Sequence, residues 1–201
     1  VVTTVHLVLG FNVSDNGRGS TDRLVPYFRK AGFTTRQHDY GWMGLLGARF
    51  RDPRIAARIA RTVKPGDIGC GHSNGCTILA MAADLGTPFA GLVLINPALE
   101  ADRVVARQVR WIDVYHNRGD VAVKASEFLD WLPWNLGGGH PWGDMGNKGF
   151  VGTDARYRNY DCGETWPPVS GHSAIFQQLA SWGPRIAARA AARDVNLNEG
   201  H

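Results

Sequence analysis

Along most of this chain, short apolar runs alternate with stretches of helical periodicity. That alternation confines the fold to the α/β class, with a mostly parallel central sheet and helices on both faces. Residues 5–9, 33–39, 67–71, 92–95 and 111–115 read as buried strands. Residues 21–31 read as a helix, with Leu24, Val25 and Phe28 on one face and Gly32 as its stop. A second helix is expected to be capped by Asp52, with Pro53 at its first position and Ile55, Ile59 and Val63 facing the core. A third covers 74–85 and ends at Gly86. A last helix starts after His172 and runs to about Trp182, and Pro184 marks a break or a new start.

One stretch leaves this rhythm. Residues 127–166 carry Trp131, Trp134, Trp142, Trp166, a triple glycine at 137–139 and several prolines, with no sustained period. Long irregular segments inside a compact domain are usually functional. The stretch reads as an insertion that covers or edges a cleft within a single domain spanning 1–201.

A hydrophobic share of 44% over 201 residues suffices for one domain with a full core, and a charged share of 20% excludes a disordered polyelectrolyte. The net charge of +4 and pI of about 9.2 raise nucleic acid as a partner. The arginines are dispersed, however, as in Arg54, Arg58, Arg61, Arg185, Arg189 and Arg193, and form no dense run. Solvated helix faces are expected, and no nucleic-acid partner. Cys70, Cys76 and Cys162 lack metal-binding spacing and are expected as small core residues, which favours a reducing, cytoplasmic compartment. The opening apolar run is too short for a signal peptide, and no run reaches the length of a membrane span.

Gly71-His72-Ser73-Asn74-Gly75 matches G-x-S-x-G, with a strand-like run before it and an apolar helix after it. A strand–turn–helix this tight leaves no room for side chains two residues either side of the serine. It holds the serine in a strained conformation at a helix N-terminus, with its hydroxyl in a cleft. A second Gly-His-Ser, at 171–173, is not an elbow, because Ile175 stands where the second glycine would be. Its His172 lies in a late loop and is the expected base. Asp120 follows the strand at 111–115 and is the expected acid, in the chain order serine, acid, histidine. Asp113 lies inside that strand and is a poorer candidate, and Asp144 and Asp161 are the fallbacks. Two backbone N–H groups are expected to hold an oxyanion, one from Asn74 and one from Phe11, which follows Gly10 at the end of the first strand.

On these residues the chain resembles the α/β-hydrolase superfamily, and its brevity is similar to that of small lipases and esterases without a large cap domain. The resemblance covers residues 7–12, 71–75, 92–97, 115–120 and 171–172. It implies Ser73, Asp120 and His172 as a catalytic triad and Phe11 and Asn74 as oxyanion-hole residues. The chain departs from many members in having Leu9-Gly10 where they have His-Gly.

The expected activity is hydrolysis of a small-molecule or polymer-borne carboxylic ester through an acyl-enzyme, with neither cofactor nor metal. Asn12, His72, Trp131, Trp134 and Trp142 are candidates for contact with substrate. His38 and His116 are expected to be structural or exposed. The same three residues would also serve an acyltransferase, thioesterase or amidase, and the scaffold alone would serve a binding module.

Overall fold

The computed structural model describes residues 2–10, 15, 17–42, 45–120 and 143–198, without the side chains of 45–49 and 196–198. Six parallel strands form one sheet in the order β2-β1-β3-β4-β5-β6: β1 (Thr4–Val8), β2 (Thr34–His38), β3 (Ile68–His72), β4 (Gly91–Ile95), β5 (Trp111–His116) and β6 (Tyr157–Asp161). The helices are α1 (Val25–Lys30, entered through a 3-10 turn at Thr21–Leu24), α2 (Leu45–Ala60), α3 (Asn74–Asp84), α4 (Met145–Lys148), α5 (Ala174–Gln177) and α6 (Leu179–Asn198). The α/β class read from the alternation is the one observed.

Parallel strands need both faces covered, which is why β3, β4 and β5 are buried along their whole length. Alternate side chains feed two cores. Val8, Leu92, Leu94, Ile112 and Val114 pack under α2 and α3 with Ile55, Ile59, Ile78 and Leu79. Val5, Leu7, Val93, Ile95 and Tyr115 pack under α1, α5 and α6 with Phe28, Phe176, Trp182 and Ile186. The three cysteines are buried free thiols. No helix among the described residues is long and apolar enough to cross a membrane.

Three expectations need correction. Helix α2 starts at Leu45 and carries Pro53 inside it, and α6 runs through Pro184. An internal proline removes one hydrogen bond from the helix ladder. Burial of Ile55, Ala56 and Ile59 in one helix, and of Trp182, Ile186 and Ala190 in the other, outweighs that loss. Second, the stretch 127–166 is not irregular throughout, because it supplies α4 and the edge strand β6. The sequence Tyr-Arg-Asn-Tyr-Asp carries almost no strand signal, and its extended form comes from the ladder with β5, from Ile112↔Tyr157 to His116↔Asp161. Third, the arginines of α6 do not simply face solvent. Arg185, Arg189 and Arg193 are half-buried against aromatic rings, whereas Arg54, Arg58 and Arg61 are exposed.

The order β2-β1-β3 reverses the direction of winding between β1 and β3, and in open α/β sheets such a reversal opens a crevice at the carboxyl ends. Register sets Val8 beside Gly71, His72 beside Ile95, and Ile95 beside Tyr115. The segments after β1, β3, β4 and β5 therefore leave the sheet along one edge.

Candidate active site

Ser73 occupies the sharp turn between β3 and α3, with φ 54° and ψ −124°. A non-glycine residue held there stores about 1–3 kcal/mol of strain, which the surroundings must fix in place. The Ser73 N–H donates to the Ile95 carbonyl at 3.0 Å, and its carbonyl accepts from the N–H groups of Cys76 (3.0 Å) and Ala98 (3.3 Å). The flanking glycines are required by space. A Cβ on Gly75 would lie 2.3 Å from the Val8 carbonyl oxygen, and one on Gly71 would lie 2.8 Å from the Cys76 nitrogen. The crowding foreseen for the motif is thus mainly backbone against backbone. Asn74 opens α3 as its first residue.

Asp120 is fully buried three residues past Asn117, at the end of the β5 loop. Its carboxylate accepts from His172 Nδ1, at 2.8 Å to Oδ2 and 3.0 Å to Oδ1. Carboxylate oxygens only accept, so Nδ1 carries the proton and the neutral ring presents an unprotonated Nε2. The structure thus joins the expected acid to the expected base. Among the described residues the Ser73 hydroxyl has no hydrogen-bond partner, His172 included. Such bonds are often long in unliganded enzymes and tighten when substrate binds.

Residues that sequence reasoning did not single out hold this pair. Asn117 grips the backbone one residue before the histidine: its Nδ2 donates to the Gly171 carbonyl at 3.2 Å, and its Oδ1 accepts the Gly171 N–H at 3.0 Å. Asn96, at φ 43° after β4, donates through Nδ2 to Asp120 Oδ2 at 3.0 Å. Helix α4 ties the two loops together, since its Gly146 N–H donates to Pro97 and its Gly146 carbonyl accepts from Asn117. The Tyr40 hydroxyl contacts the carbonyl oxygens of Leu9 and Gly10, the latter at 3.0 Å, where β1 passes the elbow. The available signal was a polar residue directly after a buried strand, as at Asn96 and Asn117, and sequence offered no way to pair it with its partner.

The other candidates fall elsewhere. Asp113 is bound by Arg193 at 3.2 Å. Asp144 pairs with Lys148, and Asp161 accepts from the N–H groups of Gly163 and Glu164. His116 and His38 are buried, with His116 Nδ1 3.4 Å from the Asn147 carbonyl and His38 bonded to His6 at 2.8 Å. His72 is buried, and its Nε2 lies 3.1 Å from the His172 carbonyl oxygen rather than in an open cleft. Trp166 is exposed. Phe11, Asn12, Trp131, Trp134 and Trp142 lie outside the described residues. Among the described residues no cluster of three His, Cys, Asp or Glu side chains could hold a metal ion.

Burial sets the electrostatics around the elbow. It pushes the Asp52 carboxyl up to about 7, opposed by the neighbouring Asn74 side-chain amide. It pushes the His72 imidazole down to about 3, assisted by the charge of neighbouring His172.

No protein-family model matches the chain, and no curated protein is similar to it. Solved structures do match. A hydrolase of the alpha/beta superfamily from Xanthomonas campestris pv. campestris aligns with a TM-score of 0.58 and 22% identity, over 94% of this chain and 97% of its own. A YdeN-like hydrolase from Pectobacterium atrosepticum gives 0.54 and 17% over 98% and 92%. An esterase from Pyrococcus furiosus gives 0.59 and 12% over 92% and 80%. The chain has the α/β-hydrolase fold.

Proposed function

We propose that the protein is a serine hydrolase that cleaves carboxylic esters through an acyl-enzyme. The observation that carries this reading is the Asp120–His172 hydrogen bond beside a strained serine at a strand–helix elbow. A buried carboxylate on Nδ1 fixes the tautomer, leaves Nε2 as the base and stabilises the imidazolium that forms. Ser73 then attacks the ester carbonyl while His172 takes its proton. The N–H groups of Asn74 and Phe11 hold the oxyanion. His172 returns the proton to the leaving alkoxide, and water repeats the sequence on the acyl-enzyme. These steps require no metal or organic cofactor. The esterase among the similar folds agrees with the reading.

A panel of soluble esters and polysaccharide esters, run on the wild type beside Ser73→Ala, tests it. Hydrolysis by the wild type and a loss of at least about 10³-fold in a folded Ser73→Ala protein is the expected result. Undiminished hydrolysis by the variant would move the nucleophile elsewhere.

A further inference from the structure

His72 immediately precedes Ser73, and the mechanism above gives it no task. We propose that His72 is a positioning residue, whose Nε2–H donates to the backbone carbonyl of His172 and so fixes the base relative to the elbow. The inference rests on the reading of Ser73, Asp120 and His172 as a triad.

The carbonyl oxygen of His172 can only accept, so at 3.1 Å the proton of this bond sits on His72 Nε2. The His72 ring packs 4.9 Å from the His172 ring and meets Phe176 of α5 edge-on, also at 4.9 Å between centroids. Its other nitrogen, Nδ1, is buried with no hydrogen-bond partner. An unpartnered buried nitrogen is a cost that a carbon side chain of the same size would not carry. What only the imidazole adds here is the donor at Nε2. Burial keeps the ring neutral, so the donor persists across the working pH range and no second cation stands beside the imidazolium of His172.

The bond also falls where the base loop needs it. Asn117 fixes Gly171, Asp120 fixes the His172 ring at Nδ1, and His72 fixes the His172 carbonyl. Because His72 and Ser73 are consecutive, this last contact refers the base directly to the residue that carries the nucleophile. An error of about 1 Å in such a placement can cost about 10²-fold in rate.

The test compares two near-isosteric variants, His72→Gln, which keeps an N–H donor at the ε position, and His72→Met, which does not. Both are measured by thermal melting, by ester kcat and KM, and by the rate of Ser73 labelling with a fluorophosphonate. The proposal expects Gln to stay within about threefold of the wild type. It expects Met to lose about tenfold or more in kcat and labelling at unchanged KM. Equal rates in two folded variants would overturn it, as would a loss confined to KM. Nitrogen-15 NMR of the wild type supplies a test that needs no variant to fold: His72 is expected as the neutral Nε2–H tautomer from pH 5 to 9, and an Nδ1–H tautomer or a titrating ring would overturn the proposal. Failure of the wild type to label at Ser73 would instead remove the triad reading beneath it. Normal labelling with equal Gln and Met variants would remove the His72 role alone.

Discussion

Asn117 uses both halves of its amide on one residue, accepting from the Gly171 N–H and donating to the Gly171 carbonyl. It is itself buried, so truncation strips the Gly171 N–H of its acceptor and leaves the Gly171 carbonyl with the Ala174 N–H alone, at 3.3 Å. Asn117→Ala is expected to cost about 1–3 kcal/mol of stability. It is also expected to lower kcat by about 10–100-fold with KM within twofold, because His172, the proposed base, loses its anchor while substrate contacts stay. Urea unfolding and steady-state kinetics on the same variant separate the two effects. Wild-type kcat in a destabilised protein would show that the clamp serves folding alone. Asn96 is a second case: in a buried site it supplies a further N–H to Asp120 Oδ2, the oxygen that also accepts from His172.

At the scale of the element, α6 shows how one sequence pattern can have two fates. Its arginines at 185, 189 and 193 lie four apart and so share a helix face. The Arg189 guanidinium sits 3.9 Å from the Tyr160 ring centroid, Arg185 lies 5.5 Å from that of Trp182, and Arg193 lies 5.9 Å from that of Trp111 while also binding Asp113. The similar string in α2 lays Arg54 and Arg58 on the exposed side. A cation over an aromatic face contributes roughly 0.5–2 kcal/mol, depending on its exposure. Arg189→Ala is therefore expected to lower the unfolding free energy by about 1 kcal/mol, and Arg54→Ala to change it by less than about 0.5 kcal/mol. Chemical denaturation of the pair checks this, and equal effects would deny the ladder its role in docking the last helix.

For the molecule as a whole, four histidines, His6, His38, His72 and His116, are buried and held below the ordinary imidazole range, each chiefly by burial. His38 and His72 are pushed down to about 3. An unfolded chain takes up these protons below a pH of about 6.5, whereas the fold takes them up only at lower pH, so the unfolded state binds more protons in between. For His38 and His72 the stability they contribute is complete above pH 6.5 and is lost as pH falls toward 3, at roughly 1.4 kcal/mol per pH unit each, and His6 and His116 add in the same direction. Asp22, Asp52 and Asp113 act oppositely, because burial raises all three carboxyls and their penalty relaxes on acidification. The histidines outnumber them, so the urea midpoint is expected to fall between pH 7.5 and pH 5. A midpoint that rose over that interval would contradict this balance.

Five of the six strands, the presence of the main covering helices and the tight strand–turn–helix around Ser73 are local matters, and they were legible in the sequence alone. Apolar runs of four to six residues, and glycines that keep two backbones in contact, are written in consecutive positions. The tertiary structure decided what depends on residues far apart in the chain: the joining of Asp120 to His172, the grip of Asn117 on Gly171, and the turning of His72 toward a carbonyl a hundred residues away. It also decided that a polar pentapeptide, Tyr157–Asp161, becomes the sixth strand, because an edge strand takes its extended form from a neighbour's hydrogen-bonding groups more than from its own side chains. Residue type and spacing supply the chemistry a chain can perform, whereas distances across the sheet exist only after the strands have paired.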